Sequence, residues 1–213
     1  MNERLDAYSA LLLEWNARLN LTAARDLPAI HAHIDDSLAL VPYAIGPLID
    51  VGSGGGFPAL VLAIATGMAV TLLEPVRKKA DFLARAASEL DLANVRVLAQ
   101  RAERAGHEAS LREHFASATA RAVGALPVVL ELTVPFLAPG GRALLQRGAV
   151  DAAERAAAAD AALVLGAEIA EEIPLAGQRR MVLARKMTPT PQRFPRRDGV
   201  PAKRPLCMAA SHG

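Results

Sequence analysis

Leu48-Ile49-Asp50-Val51-Gly52-Ser53-Gly54-Gly55-Gly56-Phe57-Pro58 reads as a buried strand, a tight loop and the opening of a helix. An apolar run takes up an acid, glycines follow at alternate positions, and a proline introduces an alanine- and leucine-rich segment. Glycine at 52, 54 and 56 lets the backbone turn sharply and removes the Cβ atoms that would hold a ligand away. Twenty-two residues beyond Gly52 a second apolar run, Ala69-Val70-Thr71-Leu72-Leu73, ends in Glu74. A glycine loop with an acid at the end of the next strand is how an open α/β sheet holds an adenosine, the acid accepting from ribose hydroxyls.

Two adenosine-bearing cofactors fit that outline. Gly54-x-Gly56-x-x-Ala59 is a passable dinucleotide fingerprint. A pyrophosphate, however, needs free N–H groups at the helix N-terminus, and Pro58 has none to give. Asp50 would also set a negative charge beside the diphosphate. S-adenosylmethionine carries no phosphate, and its ammonium and sulfonium cations suit a carboxylate. The loop therefore favours S-adenosylmethionine. An NAD-dependent oxidoreductase remains the alternative on the same architecture, although no acid or base for hydride transfer stands out.

Composition fits one α/β core with a basic end. The chain has 213 residues, 52% of them hydrophobic, enough for one full core. The longest apolar stretches, such as Ala59 to Ala65, are too short to cross a bilayer, and Met1-Asn2-Glu3-Arg4 is no signal peptide. Cys207 is the single cysteine, so no internal disulfide forms and a reducing, cytoplasmic setting is expected. Charge is uneven. Residues 185–206 hold seven basic residues against Asp198 alone, a net of +6 in a chain that totals +2, which leaves −4 elsewhere. Five prolines in that segment predict an extended, semi-rigid tail that presents charge to a polyphosphate.

Alternating elements fill the rest. Leu5, Tyr8, Leu12, Trp15 and Leu19 mark a helix over 3–20, and Pro28 opens another to about Val41. Helices follow at 58–66, 76–91, near 103–114, 126–137 and 150–165. Strands follow at 69–74, 95–99, 116–121, 142–146, 167–173 and 180–186, with Pro139-Gly140-Gly141 turning into the fifth strand. The pattern predicts a mostly parallel, Rossmann-like sheet with helices on both faces and an antiparallel pair at the end. Three parts are expected: a helical extension over 1–44, the sheet domain over 45–187, and a basic proline-rich tail over 188–213. His31-x-His33 with Asp35 and Asp36 lies on one helix without a distant fourth ligand, so no metal is expected.

The chain resembles the RsmG family (older name, glucose-inhibited division protein B), whose members are small-subunit ribosomal RNA guanine-N7 methyltransferases. The resemblance rests on Trp15-Asn16 with Asn20-Leu21-Thr22, His33-Ile34-Asp35-Asp36-Ser37-Leu38, and Asp50-Val51-Gly52-Ser53-Gly54 leading to Phe57-Pro58. It continues through Glu74 with Arg77-Lys78-Lys79 and Phe82-Leu83, then Arg101-Ala102-Glu103 and Arg121-Ala122-Val123. It closes on Pro195-Arg196-Arg197-x-Gly199-x-Pro201-x-Lys203-Arg204-Pro205-Leu206.

That resemblance implies a class I fold using S-adenosylmethionine and releasing S-adenosylhomocysteine. Asp50, Gly52, Ser53, Gly54 and Phe57 would line the donor's loop, Glu74 would hold its ribose, Ala102 and Glu103 would flank its adenine, and Arg121 would border the pocket. Arg25, Arg147, Arg196, Arg197, Lys203 and Arg204 are the expected RNA contacts. Two positions depart from the family: Ala59 stands where glycine is usual and Arg147 where lysine is common. The implied target is guanine 527 of 16S rRNA, met as naked RNA, an assembly intermediate or the small subunit, by a cytoplasmic monomer. Guanine N7 has an exposed lone pair, so no general base is expected and catalysis is positioning, with Asp50 and Arg121 nearby. Phe57 and Trp15 are the candidates to stack on a splayed-out base. A noncatalytic RNA-binding assembly factor is the alternative from another class.

Overall fold

The computed structural model describes residues 3–121 and 123–206; Cys207 and Ala122 lie outside the described residues. Seven strands form one sheet: β1 (Leu48–Val51), β2 (Val70–Leu73), β3 (Val95–Leu98), β4 (Phe115–Arg121), β5 (Leu137–Arg147), β6 (Ala167–Pro174) and β7 (Arg180–Lys186). Their order is β3-β2-β1-β4-β5-β7-β6, parallel from β3 to β5, with β7 antiparallel to both β5 and β6. The chain leaves β1 toward β2 on one side and returns to β4 on the other. Ligands of open sheets bind where the order switches in this way, beyond the carboxyl ends of the strands.

Strand residues alternate between two cores, as the period of two requires. Leu48, Leu72, Leu144 and Leu183 pack with helices α1 (Glu3–Leu19), α2 (Leu27–Leu38), α3 (Ala59–Thr66) and α4 (Arg77–Glu89). Ile49, Leu73, Leu145 and Val182 pack with α5 (Ala102–Ala105), α6 (Leu126–Thr133) and α7 (Ala152–Val164). Helix α3 is apolar on every side because α1 and α2 roof the side turned from the sheet. Each of its fully buried side chains, such as Leu60 and Leu62, contributes about 1.5–3 kcal/mol of burial energy.

Caps set several helix starts. Asp26 accepts from Ala29 N at 2.9 Å and opens α2, and Asp151 accepts from Glu154 N at 2.8 Å and opens α7. Helix α6 stops at Thr133 and tightens into a 3-10 turn over Val134–Phe136, because Pro135 has no N–H to continue the ladder.

Two expectations need correction. The helix expected near 103–114 is the single turn α5, and turns carry the chain on to β4. The tail is not free and extended. Residues 190–204 fold back, with Thr190, Phe194 and Pro195 buried, and end in α8 (Val200–Lys203). The two corrections share one cause. Arg112 donates to Gly106 O at 2.8 Å, Phe194 O at 2.8 Å and Thr190 O at 2.6 Å, so the segment after α5 bends into a socket for the tail. Pro195 packs so closely on Gly106 that a Cβ there would lie 2.7 Å from its ring. A continued helix of ordinary side chains would occupy the space that the tail takes.

Candidate functional site

The glycine loop leaves β1 under constraint from above. Gly52 has φ +74°, and a Cβ there would fall 2.9 Å from Val123 Cγ2, so both backbone and space demand glycine. Gly56, at φ +105°, would bring a Cβ to 3.0 Å from the Tyr8 hydroxyl. That hydroxyl, fully buried on α1, donates to Gly55 O at 2.6 Å, and burial pushes its pKa far above the usual range, so it remains a donor. The α1–α2 connection closes over the same loop. Asn16 Nδ2 donates to Ala24 O at 2.6 Å and its Oδ1 accepts from Thr22 N at 2.9 Å, which fixes the Asn20-Leu21-Thr22 turn. Tyr8→Phe leaves Gly55 O short of a donor. It is expected to cost about 1–2 kcal/mol, lowering Tm by roughly 2–8 °C for a chain of this size; an unchanged melting curve would remove the hydroxyl from the loop's support.

Asp50 is the electrostatic centre of this loop. It is buried, and Thr119 Oγ1 donates to its Oδ1 at 2.6 Å, while Oδ2 has no hydrogen-bond partner among the described residues. Burial pushes the carboxyl up to about 6, against the Thr119 bond and the nearby Arg121 charge, which favour the ionised form. An orphaned buried carboxylate oxygen at a glycine loop fits a ligand that brings a cation or a proton donor. Glu74, also buried, accepts from Gly54 N at 2.9 Å through one oxygen and from Val76 N at 2.8 Å through the other. Both of its oxygens are thereby oriented, and each keeps lone pairs for a hydroxyl.

A cavity of about 770 Å³ opens beyond β1, β4 and β5. Gly52, Ser53, Gly54 and Phe57 form one wall, Arg25 with the Asn20–Ala23 turn a second, and Arg121, Gln146, Arg147 and Arg179 a third. The Arg121 guanidinium stands 4.9 Å over the Phe57 ring and 3.5 Å from His33 Nδ1, with no carboxylate at ion-pair distance among the described residues. Burial and then the Arg121 charge depress the His33 pKa, so its imidazole is neutral at neutral pH. Among the described residues no group of His, Cys, Asp or Glu side chains is gathered to hold a metal ion.

The expected site residues divide in two. Asp50, Gly52, Ser53, Gly54, Glu74, Phe57 and Arg121 converge on the loop and its cavity. Ala102 and Glu103 open α5, beyond the end of β3 and outside that cavity, where Glu103 accepts from Arg101 at 2.6 Å and from Gly199 N at 2.9 Å. Arg25 and Arg147 reach the cavity but are anchored: Arg25 to Asn20 and Thr22, Arg147 to Gly124 O and to Glu154 at 2.8 Å. Arg197, Lys203 and Arg204 are exposed. Arg196 turns inward, its guanidinium against buried Glu131 at 2.5 Å. Trp15 sits apart from the cavity, against Phe82 and under Arg85. Ala59 is fully buried at the start of α3. Sequence reasoning missed Arg179 and the Tyr8 hydroxyl. The even spacing of Leu144 and Gln146 was the available signal that Gln146 faces α2.

Comparison with known proteins points to one family and one fold. The family model of rRNA small subunit methyltransferase G matches residues 1–183. The ribosomal RNA small subunit methyltransferase G of Chloroflexus aggregans is 46% identical over 204 residues, covering 92% of this chain and 86% of its own. Among solved structures, a 16S rRNA (adenine(1408)-N(1))-methyltransferase from Catenulisporales acidiphilia superposes with a TM-score of 0.59 at 16% identity, over 74% of this chain and 93% of its own. A 16S rRNA N2 methyltransferase from T. thermophilus, solved with AdoMet and guanosine, gives a TM-score of 0.51 at 18% identity, over 75% of this chain and 40% of its own. At such identities the two solved structures speak for the fold alone.

Proposed function

Since the chain belongs to the rRNA small subunit methyltransferase G family, we propose that it methylates N7 of one guanine of 16S rRNA, position 527, with S-adenosylmethionine as donor. The observation that carries the reading is the buried Asp50, one oxygen without a hydrogen-bond partner among the described residues, at the foot of a glycine loop that opens on a cavity flanked by arginines. The donor set suits S-adenosylmethionine: Asp50 for its ammonium, Glu74 for its ribose, Gly52, Ser53, Gly54 and Phe57 along its length. Arg121 borders the pocket, and Ala102 with Glu103 sits on the adenine side. When bound, that cofactor supplies an electrophilic methyl on sulfur.

The chain's own task is then positioning. N7 of guanine presents its lone pair without losing a proton, so no side chain need act as a base. The loop, held by the Tyr8 hydroxyl on Gly55 O and by Glu74 on Gly54 N, keeps its shape. Arg25 and Arg147 at the cavity, and Arg197, Lys203 and Arg204 on the docked tail, are the proposed contacts to RNA phosphates. Arg196 belongs to this set by sequence but has Glu131 as its partner. The three-part division at 44 and 187 remains part of the proposal, with the first and last parts packed on the middle one.

Incubation with labelled S-adenosylmethionine and small subunits from cells lacking this activity tests the reading. Label released as 7-methylguanine from a single site is expected. No transfer into unmodified subunits, with donor binding intact, would overturn it in favour of a binding-only assembly factor. Raising salt is expected to weaken subunit binding steeply, because each neutralised phosphate releases counterions.

A further inference from the structure

Gln146 and Asp36 meet on the cavity wall, and neither has a role so far. Gln146 is 7% exposed; its Nε2 donates to Asp36 O at 2.8 Å, which fixes the amide, and its Oε1 has no hydrogen-bond partner among the described residues. Asp36 is equally buried and its carboxylate pairs with Arg179, a side chain 45% exposed. A carboxylate offers about four lone-pair sites, so this pair leaves acceptor capacity free. Buried polar atoms are nearly always satisfied, and an unmet acceptor on a cavity wall marks where a donor arrives.

The sheet sets the distance. Val51 is in register with Ala120, and Arg121 with Gln146, so Gly52, Arg121 and Gln146 stand in one row across β1, β4 and β5. Two strand spacings place Gln146 roughly 10 Å from the glycine loop. A purine fits in that interval. If guanine turns N7 toward the loop, its Watson–Crick edge, with the N1–H and N2–H donors, faces α2 and β5. We propose that Asp36 and Gln146 are the guanine-reading element of this site, Asp36 accepting from N1–H and Gln146 Oε1 from N2–H, with Arg179 as the movable neighbour that yields as the base enters. Adenine presents a lone pair at N1 and nothing at C2, so it would leave one acceptor unmet and oppose the other. This inference rests on the guanine-N7 reading above.

The test uses the full chain and subunits reconstituted with guanine or inosine at the target, inosine lacking only the 2-amino group. Wild-type protein is expected to lose about 10- to 100-fold in kcat/KM on inosine, the cost of leaving one buried acceptor unmet. Gln146→Leu is expected to lose a similar factor on guanine and to treat both bases alike, with S-adenosylmethionine affinity near wild type and Tm lowered by the few degrees that the lost bond to Asp36 O costs. Gln146→Glu keeps an acceptor and should retain discrimination. A wild-type guanine-to-inosine ratio in Gln146→Leu, or its loss in both variants together with cofactor affinity, would overturn the assignment. Failure of the wild-type protein on guanine would instead overturn the reading beneath it.

Discussion

Asp50→Asn is expected to weaken S-adenosylmethionine binding by about 100-fold and to abolish the acid limb of its pH dependence. The affinity loss follows from removing a charge-assisted contact in a dry site, worth about 1.5–3 kcal/mol. The pH dependence follows from the carboxyl that burial raises to about 6. A cationic ligand selects the ionised form, so wild-type affinity holds above pH 6 and falls about tenfold per unit below it. On the alkaline side the ligand's own amino group loses its proton near pH 8. Titration calorimetry from pH 5 to 8.5 therefore gives a bell for the wild type and only the alkaline limb for Asp50→Asn. Stability of the ligand-free protein runs the other way. A pKa raised from 3.8 to about 6 means stability that is full below pH 3.8 and lost as pH rises through 6. The shift corresponds to about 3 kcal/mol. The amide avoids that cost but leaves an unpaired N–H₂ in place of the orphaned oxygen, so Tm at pH 8 should not fall. A variant that loses both Tm and binding would show Asp50 to be part of the fold rather than a ligand group.

How much of this was legible follows from the range of the interactions. The strand, glycine loop, helix and second strand ending in Glu74 are local, and each carries its own signature: apolar run, alternate glycines, proline, acid. The sheet and its antiparallel end follow from alternation. Contacts between distant segments were not legible. Glu131 sits in the apolar run Leu126-Pro127-Val128-Val129-Leu130-Glu131-Leu132, where nothing nearby announces a partner 65 residues away. The helix expected over 103–114 has fair local propensity, and the docked tail overrides it through Arg112 and Gly106. Arg179 is one of several arginines near a loop, and only the pairing of β5 with β7 brings it over Asp36. Basic residues spaced by prolines look alike whether solvated or anchored, and for that reason Arg196 could not be told from Arg197.

That difference between neighbours has the largest expected effect on stability. Glu131 is fully buried, and Arg196 meets it three ways: backbone N at 2.8 Å, Nε at 2.8 Å and a terminal guanidinium nitrogen at 2.5 Å. Removing one partner strands a buried charge, so Arg196→Ala is expected to cost about 3–5 kcal/mol. For a chain of this size that lowers Tm by roughly 6–20 °C and exposes the tail to cleavage at Arg193 and Arg197. Pairing Glu131→Leu with Arg196→Met should recover most of the loss, because an apolar pair of similar volume replaces a buried ion pair without stranding a charge. Arg197→Ala, one residue on and exposed, should leave Tm within about 2 °C, since surface substitutions lie within ±0.5 kcal/mol, and instead flatten the salt dependence of subunit binding. If Arg196→Ala melted like wild type and only weakened RNA binding, the tail would be a phosphate-binding arm resting on the domain. The expected result makes it a strap, with one arginine holding it down so that its neighbours can face the RNA.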